Sequence, residues 1–125
     1  MTVIVDTSIR IDFLRGDSRA SKAVRRWRSE EELHASEITR LEVLAGMRPS
    51  EEAQTRATLS ALVWHPVDEA IAEGAGALGR QWLPGHNSID AADLAIAATA
   101  IALDVELATR NVRHFPMFPD LESPY

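Results

Sequence analysis

Thirteen consecutive positions, Ala91 to Leu103, carry only two polar side chains, Asp93 and Thr99. A helix that is apolar almost all round has to be shielded on most sides. Thirteen residues fall short of the ~20 that a bilayer span needs. The segment is therefore expected as the central helix of a layered domain. The 125 residues suit one domain over 1–125, large enough to hide roughly two thirds of its unfolded surface. Apolar residues at 46% and charged residues at 26% match an ordinary globular chain and argue against disorder.

Around that helix, apolar strands alternate with helical stretches. Val3-Ile4-Val5 reads as a buried strand ending at Asp6. Thr7-Ser8 can cap a helix to Leu14 with Ile9, Phe13 and Leu14 on its apolar face. Gly16-Asp17-Ser18 breaks the chain, and Ser18 to Arg28 forms a second helix, with Ala20, Val24 and Trp27 inward. Leu33 to Ala35 is a weak strand, and Ser36 opens a third helix that stops at Gly46. A fourth helix runs from Pro49-Ser50 to Leu62, followed by a strand over Val63 to Val67. Asp68 caps a fifth helix, rich in Ala and Gly, to Leu83. The loop Pro84 to Ser88 leads to the sixth helix, Asp90 to Leu103, and then to a strand over Val105 to Ala108. The tail from Pro116 allows at most one short strand near Leu121. This alternation predicts an α/β fold: a parallel sheet flanked by helices on both faces, in three layers.

Composition excludes several functions. There is no cysteine, hence no disulfide framework, thiol catalysis or Cys-based zinc site. No run is long enough for a membrane span, and the start, Met-Thr-Val-Ile-Val-Asp, has no signal-peptide character. The net charge of −6 argues against a simple phosphate-coating surface. It is compatible with clustered acids at the centre and arginines around a rim. The basic inventory is 12 Arg and a single Lys, Lys22, and Arg grips phosphate as a bidentate fork.

Three carboxylates stand where packing alone would not place them. Asp6 ends the first strand, and in open parallel sheets ligands bind beyond the carboxyl ends of the strands. Capping the next helix is the competing use of that position. Glu42 is four residues from Ile38 and lies within a stripe formed by Ile38, Leu41 and Ala45. Asp93 interrupts the apolar helix, and Asp90 shares its first turn at i, i+3. A helix N-terminus is served by one acid; two side by side repel unless a cation lies between them. Thr109 and Asn111 follow the last strand and, if it runs parallel to the first, reach the same rim as Asp6. The donors are all oxygen, which suits Mg²⁺ or Mn²⁺ rather than zinc. The four histidines are scattered singly and read as surface or packing residues. Gly74, Gly76 and Gly79 lie inside a helix and do not make a phosphate loop.

Val3 to Ser8, the embedded acid in Ile38 to Val43, the stretch Ala92 to Ala100 and the run Leu107 to Asn111 together resemble the PIN-domain ribonucleases. The resemblance spans essentially the whole chain and is closest to the VapC toxin half of VapBC toxin–antitoxin pairs. It implies a Mg²⁺- or Mn²⁺-dependent endoribonuclease acting on structured RNA such as tRNA or rRNA loops. Asp6, Glu42 and Asp93 are its expected metal-binding acids, and Asn111 takes the fourth catalytic position, where many members carry Asp. His114 stands where a further acid is often found. Thr7, Ser8, Asp90 and Thr109 are secondary candidates, and Arg10, Arg110 and Arg113 are candidates for holding RNA phosphates. The resemblance also implies a cytoplasmic protein, a homodimer and a cognate VapB-like antitoxin. A basic residue of that antitoxin would enter the acid cluster, beside a groove lined by Ile9, Phe13, Val24 and Trp27. Two rivals remain: a non-catalytic binding module of the same fold, and an Asp-based phosphotransfer domain. The second lacks the expected acid, having Ser8 two residues after Asp6, and lacks a Lys at a later strand end.

Overall fold

The computed structural model describes residues 2–30 and 32–125. In chain order the elements are β1 (Thr2–Val5), α1 (Thr7–Leu14), α2 (Ser18–Glu30), β2 (Glu32–Ser36), α3 (Glu37–Ala45), α4 (Glu52–Leu59), β3 (Val63–His65), α5 (Glu69–Trp82), α6 (Ala91–Leu103) and β4 (Glu106–Ala108). The strands form one parallel sheet in the order β3-β2-β1-β4. Side chains alternate along a strand, so Val3 and Val5 join one core while Ile4 joins the other. On the first face, Ile9 of α1 and Val24 and Trp27 of α2 pack with Leu33, Ala35 and Leu62. On the second, Ile96, Ala97 and Ala100 of α6 pack with Leu107 and Phe115. The predicted three layers are therefore present.

All eight residues from Asp93 to Ala100 are buried, as an all-round apolar helix requires. Shielding comes from the sheet on one side and α5 on another. Glycines let α5 come close: a Cβ built on Gly79 would lie 3.2 Å from Leu94 Cδ1, and one on Gly74 would lie 3.7 Å from Ala98 Cβ. After Leu103, α6 ends on Asp104 in the left-handed region (φ 54°), a conformation that Asp tolerates better than most residues.

Several expected boundaries move. Asp6 rather than Thr7 or Ser8 caps α1. The fourth helical segment opens with a 3₁₀ turn, Pro49–Glu51, and α4 stops at Leu59 instead of reaching Leu62. β3 ends at His65 because Pro66 has no N–H to continue the ladder. The tail forms no strand near Leu121; Leu121 instead packs on the second core.

The histidines are not all solitary. His34 on β2 stacks on His65 of β3 with ring centroids 4.8 Å apart. His34 Nδ1 lies 2.5 Å from His65 Nε2, and His34 Nε2 lies 2.7 Å from Glu32 Oε1. The cross-strand pairing that joins positions 34 and 65 is invisible in a linear sequence.

Two predictions follow from this packing. Gly79→Val should cost about 1–3 kcal/mol by overpacking against Leu94, whereas Gly76→Ala, whose new Cβ meets nothing closer than 4.0 Å, should gain roughly 0.5–1 kcal/mol from the helix backbone. Urea midpoints of the two variants decide this, and a gain for Gly79→Val would contradict the close approach. The second concerns pH. Burial, reinforced by His34 and opposed by Glu32, holds the His65 imidazole below its ordinary value. A depressed value means the unfolded chain binds the proton first. This group's stabilisation is thus present above about pH 6.5 and is lost as pH falls through the folded value. His65→Gln should flatten the decline of the urea midpoint below that pH; an unchanged slope would exclude His65 as its source.

Candidate active site

The parallel pairing of β1 with β4 sets Val5 beside Ala108, and Asp6 N donates to Ala108 O at 2.9 Å. The residues that follow both strands consequently emerge on one rim. Asp6 is only 3% exposed, and its carboxylate takes three donors. Oδ1 accepts from Thr7 N at 2.8 Å. Oδ2 accepts from Ser8 Oγ at 3.0 Å and from Thr109 Oγ1 at 2.6 Å. Thr109 Oγ1 in turn accepts from Asn111 N at 2.9 Å, and Ser8 Oγ accepts from Arg110 N at 3.2 Å. Asp6 does cap α1, but a cap uses one oxygen; its second oxygen is held from β4 and by Ser8.

Glu42 reaches the same place from α3. The buried residues of α3 are Thr39 and Val43, not the predicted stripe of Ile38, Leu41 and Ala45; Leu41 is 59% exposed. Glu42 sits half-buried beside Val43, at the edge of the real stripe. Its Oε1 accepts from Thr7 Oγ1 at 2.7 Å. Thr7 has one hydroxyl proton, so its 3.1 Å contact with Thr39 Oγ1 is completed by the Thr39 proton. Thr39, which no sequence pattern singles out, is fully buried polar support.

Asp90 and Asp93 form a reciprocal capping box. Asp93 N donates to Asp90 Oδ1 at 2.9 Å, and Asp90 N donates to Asp93 Oδ2 at 3.0 Å. Both acids therefore contribute to the start of α6. Asp93 is nonetheless buried, and its Oδ2 lies 3.1 Å from His114 Nδ1. Burial pushes the Asp93 carboxyl up to about 6, with the Asp90 and Asp6 charges adding to it, against the Asp90 N–H and His114. Burial is the main cause, and the like charges of Asp90 and Asp6 act in the same direction, as they do where acids gather.

These groups line one open cavity of about 460 Å³ together with Ile11 and Asp12. Five carboxylates (Asp6, Asp12, Glu42, Asp90 and Asp93) face one arginine, Arg110, and one histidine, His114. Asn111 is on the lining as well. Asp12 was not anticipated from the sequence. Its place one helical turn after Ser8 is the signal that points to it. It accepts from Arg110 Nη1 at 3.0 Å and from Tyr125 Oη at 2.8 Å. Two of the expected phosphate contacts lie elsewhere. Arg10 is 2% exposed and is bound through Nη2 to Thr58 O at 3.2 Å; its position on α1 turns it away from the acids. Arg113 is exposed but outside the cavity lining. Of the predicted groove residues, Ile9, Val24 and Trp27 are core and Phe13 packs against them, with Phe13 and Val24 also bordering a separate cavity.

The donor set fits a hard divalent cation: oxygen ligands, negative excess, and no thiolate. Among the described residues no three Asp, Glu or His side chains stand close enough to form a finished cage. Glu42 is occupied by Thr7 and Asp93 by Asp90 N and His114, whereas Asp6 is already held in place. Thr109→Val removes a donor to Asp6 and the acceptor of Asn111 N within the fully buried Thr109 site. It should cost about 1–3 kcal/mol of stability, and Thr109→Ser should stay close to the parent chain. Equal urea midpoints for the Val and Ser variants would show that the hydroxyl is idle.

The chain matches the model of the PIN domain over residues 3–118. It is 49% identical over 123 residues to Ribonuclease VapC19 of Mycobacterium tuberculosis, with 98% of each chain covered. It is 37% identical over 123 residues to Ribonuclease VapC10 of the same organism, covering 98% of this chain and 92% of that one. Among solved structures, it superposes on a chain of a toxin–antitoxin complex from Klebsiella pneumoniae with a TM-score of 0.84, at 31% identity over 98% of both chains. With the sheet order, the rim of acids and these likenesses in agreement, the chain belongs to the PIN-domain family and, within it, to the VapC group.

Proposed function

We propose that the chain is a divalent-metal-dependent endoribonuclease, the toxin of a toxin–antitoxin pair, acting on structured RNA in the cytoplasm. The observation that carries this reading is the cavity in which Asp6, Glu42 and Asp93 meet at the strand ends. Two relatives described as ribonucleases and a neighbour from a toxin–antitoxin complex support it. Among the described residues, no helix is long and apolar enough to cross a membrane.

Asp6, Glu42 and Asp93 would hold the cation, Mg²⁺ or Mn²⁺, with the neutral oxygen of Asn111 as a fourth position. Held by these residues, such a cation would supply Lewis acidity toward a water and the phosphate. The chain's own groups do the rest. Thr7 N, Ser8 Oγ and Thr109 Oγ1 fix the position of the Asp6 carboxylate by donating to its two oxygens. Arg110, oriented by Asp12, presents a guanidinium at the edge of the same cavity, where it can grip a neighbouring phosphate. Asp90 keeps the first turn of α6 in place so that Asp93 stays on the rim. Single-stranded RNA loops offer phosphates accessible to such an open cleft. A VapB-like antitoxin silences the enzyme by placing a basic side chain among the acids, and the active form is a homodimer.

The test is cleavage of bulk tRNA and rRNA by the purified chain with and without Mn²⁺. Metal-dependent cleavage is expected, and Asp6→Asn and Asp93→Asn should each reduce it by about a hundredfold or more while the protein still melts cooperatively. Folded Asn variants that cleave like the parent would refute the assignment of the acids.

A further inference from the structure

A second cavity, of about 220 Å³, lies on the other side of α1 and carries the opposite charge. Its lining includes Arg10, Arg28, Phe13, Val24, Leu33 and Leu62, and among the described residues no acid lines it. Arg10 is 2% exposed, and its Nε has no hydrogen-bond partner among the described residues. Nη2 is bound to Thr58 O, and the guanidinium carbon stands 5.2 Å from the Phe13 ring centroid. A buried guanidinium with an idle N–H is costly, since its lost hydration is not replaced. Burial, and then the charge of Arg28, lower the Arg10 pKa to about 10, as expected for a cation with no counter-ion among the described residues. The Thr58 carbonyl and the Phe13 ring give Arg10 a structural use, but they leave its Nε unmet, and no acid among the described lining residues faces either arginine.

We propose that this cavity is a carboxylate pocket which receives a glutamate or aspartate side chain from an apolar segment of the inhibitory partner, with Arg10 and Arg28 as its cationic walls. The identity of that partner rests on the toxin–antitoxin reading above. Position and charge select this occupant. Helix α1 separates the two cavities: Ser8, Ile11 and Asp12 border the acidic one, and Arg10 and Phe13 border the basic one. A segment laid across α1 therefore meets acids on one side and arginines on the other. The complementary segment carries a basic side chain and an acidic one on an apolar frame. An RNA phosphate suits the pocket poorly, because a phosphodiester brings two bulky sugars to a site with apolar walls and a buried guanidinium. A carboxylate at the end of an apolar stem can enter, pair with the idle N–H, and leave its stem against Phe13, Val24 and Leu62. Pairing of that kind is charge-assisted and directional.

The experiment uses the full chain labelled with ¹⁵N, without metal or RNA. The probes are the capped tripeptide acetyl-Leu-Glu-Leu-amide, its glutamine counterpart and inorganic phosphate. The readout is the Arg10 Nε–Hε resonance, assigned by its absence from Arg10→Lys. The glutamate peptide should move that resonance saturably, the glutamine peptide should bind at least tenfold more weakly, and phosphate should fail to displace the glutamate peptide. Arg28→Gln, at an exposed position, should weaken the glutamate peptide several-fold without disturbing the rest of the spectrum. The pocket is refuted by no shift, by equal shifts from the two peptides, or by unchanged affinity in Arg28→Gln. Displacement by phosphate at equal or lower concentration would refute it too and reassign the arginines to RNA. A chain that cleaves RNA but ignores the peptide overturns the pocket alone; one that takes the peptide but never cleaves overturns the nuclease reading alone.

Discussion

The Asp6 carboxylate is the point at which the fold and the candidate chemistry meet. One backbone N–H and two hydroxyls converge on it, and they come from two parts of the chain: Thr7 and Ser8 at the start of α1, and Thr109 just past β4. The 103-residue separation between Asp6 and Thr109 is bridged only because β1 and β4 are parallel neighbours. A buried carboxylate without such donors would take up a proton or open the structure to water. With them it is satisfied, fixes the entry of α1 and stays on the cavity lining. The other acids are anchored by the same logic with fewer donors: Glu42 through Thr7, and Asp93 through Asp90 N.

The sheet brings these groups to one rim, and α6 keeps them there. Its buried length, from Asp93 to Ala100, is clamped between the sheet core and α5, and the glycines of α5 let the two helices approach closely. The capping box at its N-terminus gives Asp90 and Asp93 a structural use. Asp93 nonetheless remains in the cavity lining, with its carboxyl raised by burial and by its acidic neighbours. The first turn of α6 thus belongs both to the fold and to the site.

The strongest features were legible in the sequence. Alternating strands and helices indicated the three layers, and Asp93 stood out because nothing else polar but Thr99 shares its helix. Asp6 was marked by its place at a strand end. Features that depend on contacts between distant segments were not legible. The inward face of α3 is polar-apolar, Thr39 and Val43, so an apolar stripe drawn from sequence pointed one step around the helix. Asp12 looks like an ordinary surface residue until the tail is folded against it, and the contact of His114 with Asp93 appears only once α6 is in place. His34 and His65 became a pair only through β2–β3 pairing. Arg10, which seemed free to meet RNA, is buried because α1 turns it toward α4.

The central claim is that Asp6, Glu42 and Asp93 form the cation site of this chain. Paramagnetic broadening by Mn²⁺ tests it most directly, because it reports position without requiring a substrate. Substoichiometric Mn²⁺ added to the ¹⁵N-labelled chain should first erase the amide signals of Asp6, Thr7, Asp93 and Asn111, and excess Mg²⁺ should restore them. Asp6→Asn should abolish the effect at the same Mn²⁺ concentration. Broadening centred on Glu32, His34 and His65, or unchanged broadening in Asp6→Asn, would contradict the account.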